Sequence, residues 1–210
     1  MFESVIIMAT EIDVFAIASF LLLGIERVLY GYWFIYPESF KSELRKGTFG
    51  KSMKKEPLFW KSAMSMGMYV KVFQFSVVAY DIIVRSTVLE DFMISRKFAL
   101  GCIMMGIGQG LNMAAFKALG GIGIYYGHEF GYDVKFVKNF PYNVTWIADP
   151  QYWGVVIFIW GIYYALNVQD YTIPICETFW YLMSMKVFEH ERGKKLAHRL
   201  LGPDVKFVKV

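Results

Sequence analysis

Two short patterns in this chain combine small residues and carboxylates in a way suited to a flat, charged small molecule. The first is Gly106-Ile107-Gly108, which removes two side chains and lets a ligand approach the backbone. The second is Glu189-His190-Glu191, which sets two carboxylates around an imidazole. Carboxylates take strong, charge-assisted hydrogen bonds from ammonium and hydroxyl donors. Between them lies a polar, aromatic stretch punctuated by proline. It reads Gly127-His128-Glu129-Phe130-Gly131, then Asn139-Phe140-Pro141-Tyr142-Asn143, then Asp149-Pro150-Gln151-Tyr152-Trp153-Gly154. His128, Glu129 and Glu191 are the candidate proton acceptors. Spacing singles out none of them, and a solvated loop charge is the plainer reading of Glu129. Tyr152 and Trp153 offer aromatic faces to a cation, or else anchor a helix end at a membrane interface. The Gly-x-Gly has its own plainer reading, close packing of membrane helices.

Other chemistries find no pattern. The chain has no phosphate-binding Gly-x-x-x-x-Gly-Lys loop and no His-Glu-x-x-His. Cys102 and Cys176 are too few for a cysteine-based zinc site and sit in apolar stretches, as small core residues do. His128, His190 and His198 show no metal-ligand spacing. No strand–helix–strand context surrounds Gly106 and Gly108, so a dinucleotide fold is excluded. The expectation is no metal and no nucleic-acid partner.

The elements that carry these residues belong to a membrane. Of 210 residues, 56% are hydrophobic and only 19% charged, against roughly 25% charged in a soluble domain; mean hydropathy is +0.39. Five apolar segments stand out, at about 12–36, 62–89, 98–126, 150–169 and 171–188. A hydrocarbon core of roughly 30 Å needs about 20 helical residues, and helices satisfy their own backbone groups in lipid. The expected fold is an all-α integral membrane protein of about five apolar helices. The last two, joined near Asn167–Thr172, form a tight hairpin. The acidic N-terminus, with Glu3, Glu11 and Asp13 before a long apolar run, reads as a retained segment rather than a cleavable signal.

Charge sets the expected orientation. Seven Lys/Arg fall in 38–61 and seven more in 186–210, out of 22. The positive-inside rule places both in the cytosol, and with them the loop 127–149, while 90–96 lies opposite. Inside the second segment, Lys71, Asp81 and Arg85 are costly in lipid and call for partners. Asp81 and Arg85, at i and i+4, are expected to pair structurally. Asp-Val-Lys-Phe-Val-Lys occurs at 133–138 and again at 204–209, without an assigned role.

In order and spacing, these motifs resemble the phospholipid methyltransferase family, above all the eukaryotic phosphatidylethanolamine and phosphatidyl-N-methylethanolamine N-methyltransferases. The resemblance runs over about 98–192. It rests on Gly106-Ile107-Gly108, Ala118-Leu119-Gly120, Gly127-x-x-Phe130-Gly131, Phe140-Pro141-Tyr142-Asn143, Pro150-Gln151-Tyr152-Trp153-Gly154 and the acidic site at Glu189. Ahead of it, apolar helices with the basic loop 38–61 occupy 1–97, and the whole is expected to be a single membrane domain. The methyltransferase core then occupies 98–192 and a basic tail 193–210.

The resemblance further implies S-adenosylmethionine as cofactor, held by Gly106 and Gly108 and by an acidic pair at Glu189 and position 190. That position is His190 here, with the second carboxylate at Glu191; histidine does not carry a permanent negative charge. Substrate contacts fall on Tyr142, Asn143, Tyr152 and Trp153. The implied reaction methylates the amine of phosphatidylethanolamine or its mono- and dimethylated forms, toward phosphatidylcholine, in the endoplasmic reticulum membrane. Two alternatives stand beside it. One is a membrane methyltransferase acting on a prenylated cysteine carboxylate, which departs from Ala148-Asp149-Pro150 by having Arg-His-Pro there. The other is a membrane scaffold without catalysis.

Overall fold

The computed structural model describes residues 14–51, 58–85, 96–134, 137, 139–144 and 149–189. They form helices and connecting turns, with no strand among the described residues. Helix α1 is Val14–Ile35, α2 is Pro37–Lys46, α3 is Phe59–Tyr80 and α4 is Arg96–Ile124. Helix α5 is Pro150–Ala165 and α6 is Thr172–Met183. Single π turns extend α3 over Asp81–Arg85 and α6 over Ser184–Glu189. This is an all-α integral membrane protein, and α1, α3 with its extension, and α4 are each long and apolar enough to cross a bilayer.

The distribution of side chains reverses that of a soluble bundle. Val14, Ile17, Leu21, Ile25 and Val28 of α1 face outward, as do Ile103, Ile107, Met113 and Phe116 of α4. Ser19, Glu26, Arg27, Gln74, Asp81 and Glu177 are buried between helices. Lipid has no hydrogen bonds to offer, so polar groups at this depth must meet one another.

Four glycines decide how α4 and α5 meet. They are the most closely packed pair in the molecule and run antiparallel. A Cβ on Gly101 would lie 2.5 Å from the backbone nitrogen of Ala165, and one on Gly108 2.5 Å from the carbonyl oxygen of Gly154. Gly154 and Gly161 face back onto the carbonyls of Gly108 and Gly101. With no side chains in the seam, the two backbones reach van der Waals contact, the main source of attraction between helices in lipid. The far ends are tied by Lys97 Nζ donating to Asn167 Oδ1 at 2.7 Å.

Helix α5 stops at Ala165, short of the Gln169 expected from hydropathy. Asn167 adopts φ 53°, and the Val168 amide turns back to the carbonyl of Tyr163. The connection to α6 is short as expected, yet α5 is packed far more closely on α4 than on α6. Helix α6 lies against α1 instead, where the Trp180 ring covers Gly24 and its Nε1 donates to the carbonyl of Phe20 at 2.8 Å.

The basic segment after the first span contains a helix the hydropathy pattern did not reveal. Pro37 opens α2, and Gly47, at φ 83°, closes it by returning its N–H to Leu44. Phe40 and Leu44, one turn apart, bury themselves under Trp33, Ala63, Tyr125 and Phe130. The end of α1, the start of α3 and the end of α4 therefore meet at one end of the bundle.

Candidate active site

Three apolar helices carry charges into a shared interior. Glu26 and Arg27 lie on α1, Lys71 and Gln74 on α3, Glu177 and Tyr181 on α6. Glu26 Oε1 is 2.6 Å from Arg27 Nη2 and 2.8 Å from Lys71 Nζ. Lys71 also donates to Tyr181 Oη at 2.6 Å and to Gln74 Oε1 at 2.8 Å. Gln74 Nε2 then donates to Glu177 Oε1. The Arg27 guanidinium carbon sits 4.2 Å from the ring centre of Tyr181, 4.7 Å from that of Tyr30 and 5.0 Å from that of Tyr152. Desolvating so many charges is costly unless each finds its partner, and a cation over aromatic faces is a partial substitute for water.

Next to this network is a cavity of about 40 Å³. Arg27, Lys71, Tyr126, Gln151, Tyr152 and Tyr181 are among its lining residues. Tyr126 and Tyr152 hydroxyls share a hydrogen bond of 3.1 Å across it. It fits one small polar group; a whole cofactor needs pockets of roughly 300–1,000 Å³.

The sequence-derived candidates fall in different places. Tyr152 joins the network, buried in the first turn of α5 and edge-on to Tyr181. Trp153 packs part-buried against the neighbouring apolar core. His128 and Glu129 lie half-buried in the turn that follows α4, where the Gly131 amide bonds the His128 carbonyl. Tyr142 and Asn143 lie in the turn 139–143, with Asn143 exposed. Gly106 and Gly108 face opposite ways, since two helical residues span roughly 200° of arc. Gly108 is closed by Gly154, whereas a Cβ on Gly106 would meet nothing within 4 Å. Gly106 thus lies on the open face of α4, and Gly108 in its seam with α5. Glu189 ends the π turn after α6; its side chain, and all of His190 and Glu191, lie outside the described residues, as does most of the repeated 133–138 and 204–209 segment.

Asp149 sets the entry to α5. It takes a left-handed φ of 50°, and its carbonyl accepts from the amides of Tyr152 and Trp153. Burial pushes its carboxyl above the ordinary aspartate range, while Lys186 pulls it back. Asp81, expected to pair with Arg85, accepts from Tyr163 Oη of α5 at 2.6 Å; the Arg85 side chain lies outside the described residues.

Glu26, Arg27 and Glu177 stand in the sequence as charges within apolar runs. What the sequence did not give was their meeting. Helical periodicity orders residues within a segment, and the partners of Lys71 stand 45 residues before it and 110 after.

The fold and this interior define a helical integral membrane protein with a charged core shared by three helices. Comparison with known proteins agrees with the motifs: residues 96–196, just under half of the chain, match the phospholipid methyltransferase family model, which bears out the resemblance. A phosphatidyl-N-methylethanolamine N-methyltransferase of Arabidopsis thaliana is 43% identical over 54 residues, 26% of this chain and 32% of that protein. The match thus spans about a third of that curated relative. No solved structure matches significantly.

Proposed function

We propose that this chain is a membrane methyltransferase. It moves a methyl group from S-adenosylmethionine to the amine of phosphatidylethanolamine or its mono- and dimethylated forms, on the way to phosphatidylcholine. The observation that carries this reading is the family match over 96–196, which begins with α4 and extends past the end of α6. By the same resemblance the membrane is that of the endoplasmic reticulum, and the positive-inside rule turns the basic segments to the cytosol.

S-adenosylmethionine, when bound, supplies an electrophilic methyl on a sulfonium. The chain's own contribution is alignment, worth at best roughly 7–11 kcal/mol of barrier. Gly106 leaves backbone open to a flat group. Glu189 sits where the α6 extension ends, and its carboxylate is suited to accept from the donors of the cofactor. The seam of Gly101, Gly108, Gly154 and Gly161 fixes α4 against α5, and so fixes Gly106 relative to Tyr152. The lipid amine must lose a proton before it attacks, and His128, Glu129 and Glu191 are the acceptors proposed.

Equilibrium binding of labelled S-adenosylmethionine to the purified protein tests the cofactor half. Glu189→Gln is expected to weaken it roughly 10- to 150-fold, the range for a charged hydrogen bond of about 1.5–3 kcal/mol. Unchanged affinity removes Glu189 from the site, and no binding to the parent protein removes methyl transfer altogether.

A further inference from the structure

Arg27 is only partly satisfied by its ion pair. The residue is 1% exposed, and Nη2 meets Glu26, yet among the described residues Nε and Nη1 have no hydrogen-bond partner. A guanidinium is a rigid fork of donors. The three tyrosine rings around it receive the cation on their faces, which leaves the N–H groups of Nε and Nη1 unmet. The cavity beside Arg27 is also bordered by Lys71, and among the described residues no carboxylate lines it. Glu26 and Glu177 both lie behind the cations, Glu177 one step further back through Gln74. Two positive charges and an unfilled fork at a wall whose described residues include no acid describe a receptor for an anion.

The class of anion follows from shape and place. Guanidinium forks match phosphate and carboxylate oxygens two at a time. The α-carboxylate of an amino acid brings its own ammonium, so a wall with two cations and no acid suits a phosphodiester, which keeps a full negative charge. The cavity lies between Tyr125 and Tyr126 at the end of α4 and Gln151 and Tyr152 at the start of α5, the end of the bundle where a headgroup would meet the loop 127–149. We propose that this cavity takes the phosphate of a phospholipid headgroup, with Nε and Nη1 of Arg27 donating to its oxygens and Lys71 supplying the second charge. The identity of that lipid as the methyl acceptor rests on the function proposed above; the phosphate site itself does not.

Binding therefore provides the test, with the full chain in detergent and three short-chain probes: dihexanoyl phosphatidylethanolamine, dihexanoyl phosphatidic acid and phosphate-free dihexanoylglycerol. Both phosphate lipids should raise the thermal midpoint, and dihexanoylglycerol should not. Gln151 is half-buried at the cavity and outside the ion pairs, so Gln151→Glu should fold normally and repel the phosphate. It and Arg27→Lys, which keeps the charge but loses the fork, should each weaken binding roughly 10- to 150-fold. Equal shifts from all three lipids, or unchanged binding in a folded Gln151→Glu protein, would overturn the site. Stabilisation by inorganic phosphate or S-adenosylmethionine alone, lost in the same variants, would overturn the lipid as its source. Phosphate-lipid binding without any methyl transfer would leave this site standing and remove the enzymatic reading instead.

Discussion

Replacing Gly108 and Gly106 separately by alanine should give opposite results, although the two residues are only two apart. At Gly108 the new methyl would sit 2.5 Å from the Gly154 carbonyl and 2.6 Å from the Phe158 amide nitrogen, where ordinary contact begins at 3.4 Å. Both neighbours are backbone, so no side chain can rotate away, and α4 and α5 must part by nearly 1 Å along the seam. Overpacking of this kind costs roughly 1–3 kcal/mol. At Gly106 a methyl meets nothing within 4 Å, and alanine gains the helix preference over glycine, roughly 0.5–1 kcal/mol. Apparent melting in lipid nanodiscs should fall for Gly108→Ala and hold or rise for Gly106→Ala. Labelled-methyl transfer measured on the same samples separates packing from function, because Gly106→Ala should lose cofactor affinity while remaining folded. A Gly108→Ala protein as stable as the parent, or a Gly106→Ala protein as destabilised as its partner, would refute the seam.

Three further outcomes are expected. Glu26→Gln leaves Arg27 and Lys71 without their shared carboxylate, and a broken buried pair of this type costs roughly 3–5 kcal/mol, measurable as a lowered thermal midpoint. Asp149 contributes most to stability below its ordinary value of 3.8, where it is neutral; that contribution is lost as pH rises through its raised folded value. Asp149→Asn, which also tolerates the left-handed backbone, should flatten the stability–pH profile over that window, and an unchanged profile would remove burial as the cause. Single cysteines near Asp133 and Lys195 should both react with an impermeant thiol reagent from the cytosolic face alone, and Asn143, in the sequon Asn143-Val144-Thr145, should carry no glycan; labelling from opposite faces would break the topology.

How far the fold was legible follows from what each signal measures. Helices α1, α3 and α4 are long apolar runs, and lipid demands just that of them, so their existence and approximate bounds were plain. Helix α2 was hidden in a basic stretch, although Pro37, the pair Phe40 and Leu44, and Gly47 mark its start, buried face and end. The end of α5 was misplaced because Asn167, Val168 and Gln169 carry no charge and so prolong the uncharged run, while Asn167 turns the chain. Gly106 and Gly108 were legible as a motif, and their opposite facing follows from helical geometry; which of them would be covered depended on Gly154, 46 residues away. The charged interior shows the same limit. Lys71 announced a need for partners, and only the packing of three helices supplied Glu26 and Tyr181.

Incubating the purified protein with labelled S-adenosylmethionine and separate bilayers of phosphatidylethanolamine, its mono- and dimethylated forms, and a prenylcysteine substrate tests the central claim most directly. The account predicts label in the amine headgroup of at least one of the first three, and none in the prenylcysteine. Label on the prenylcysteine carboxylate alone, or on no substrate while the folded protein binds the cofactor, would contradict it.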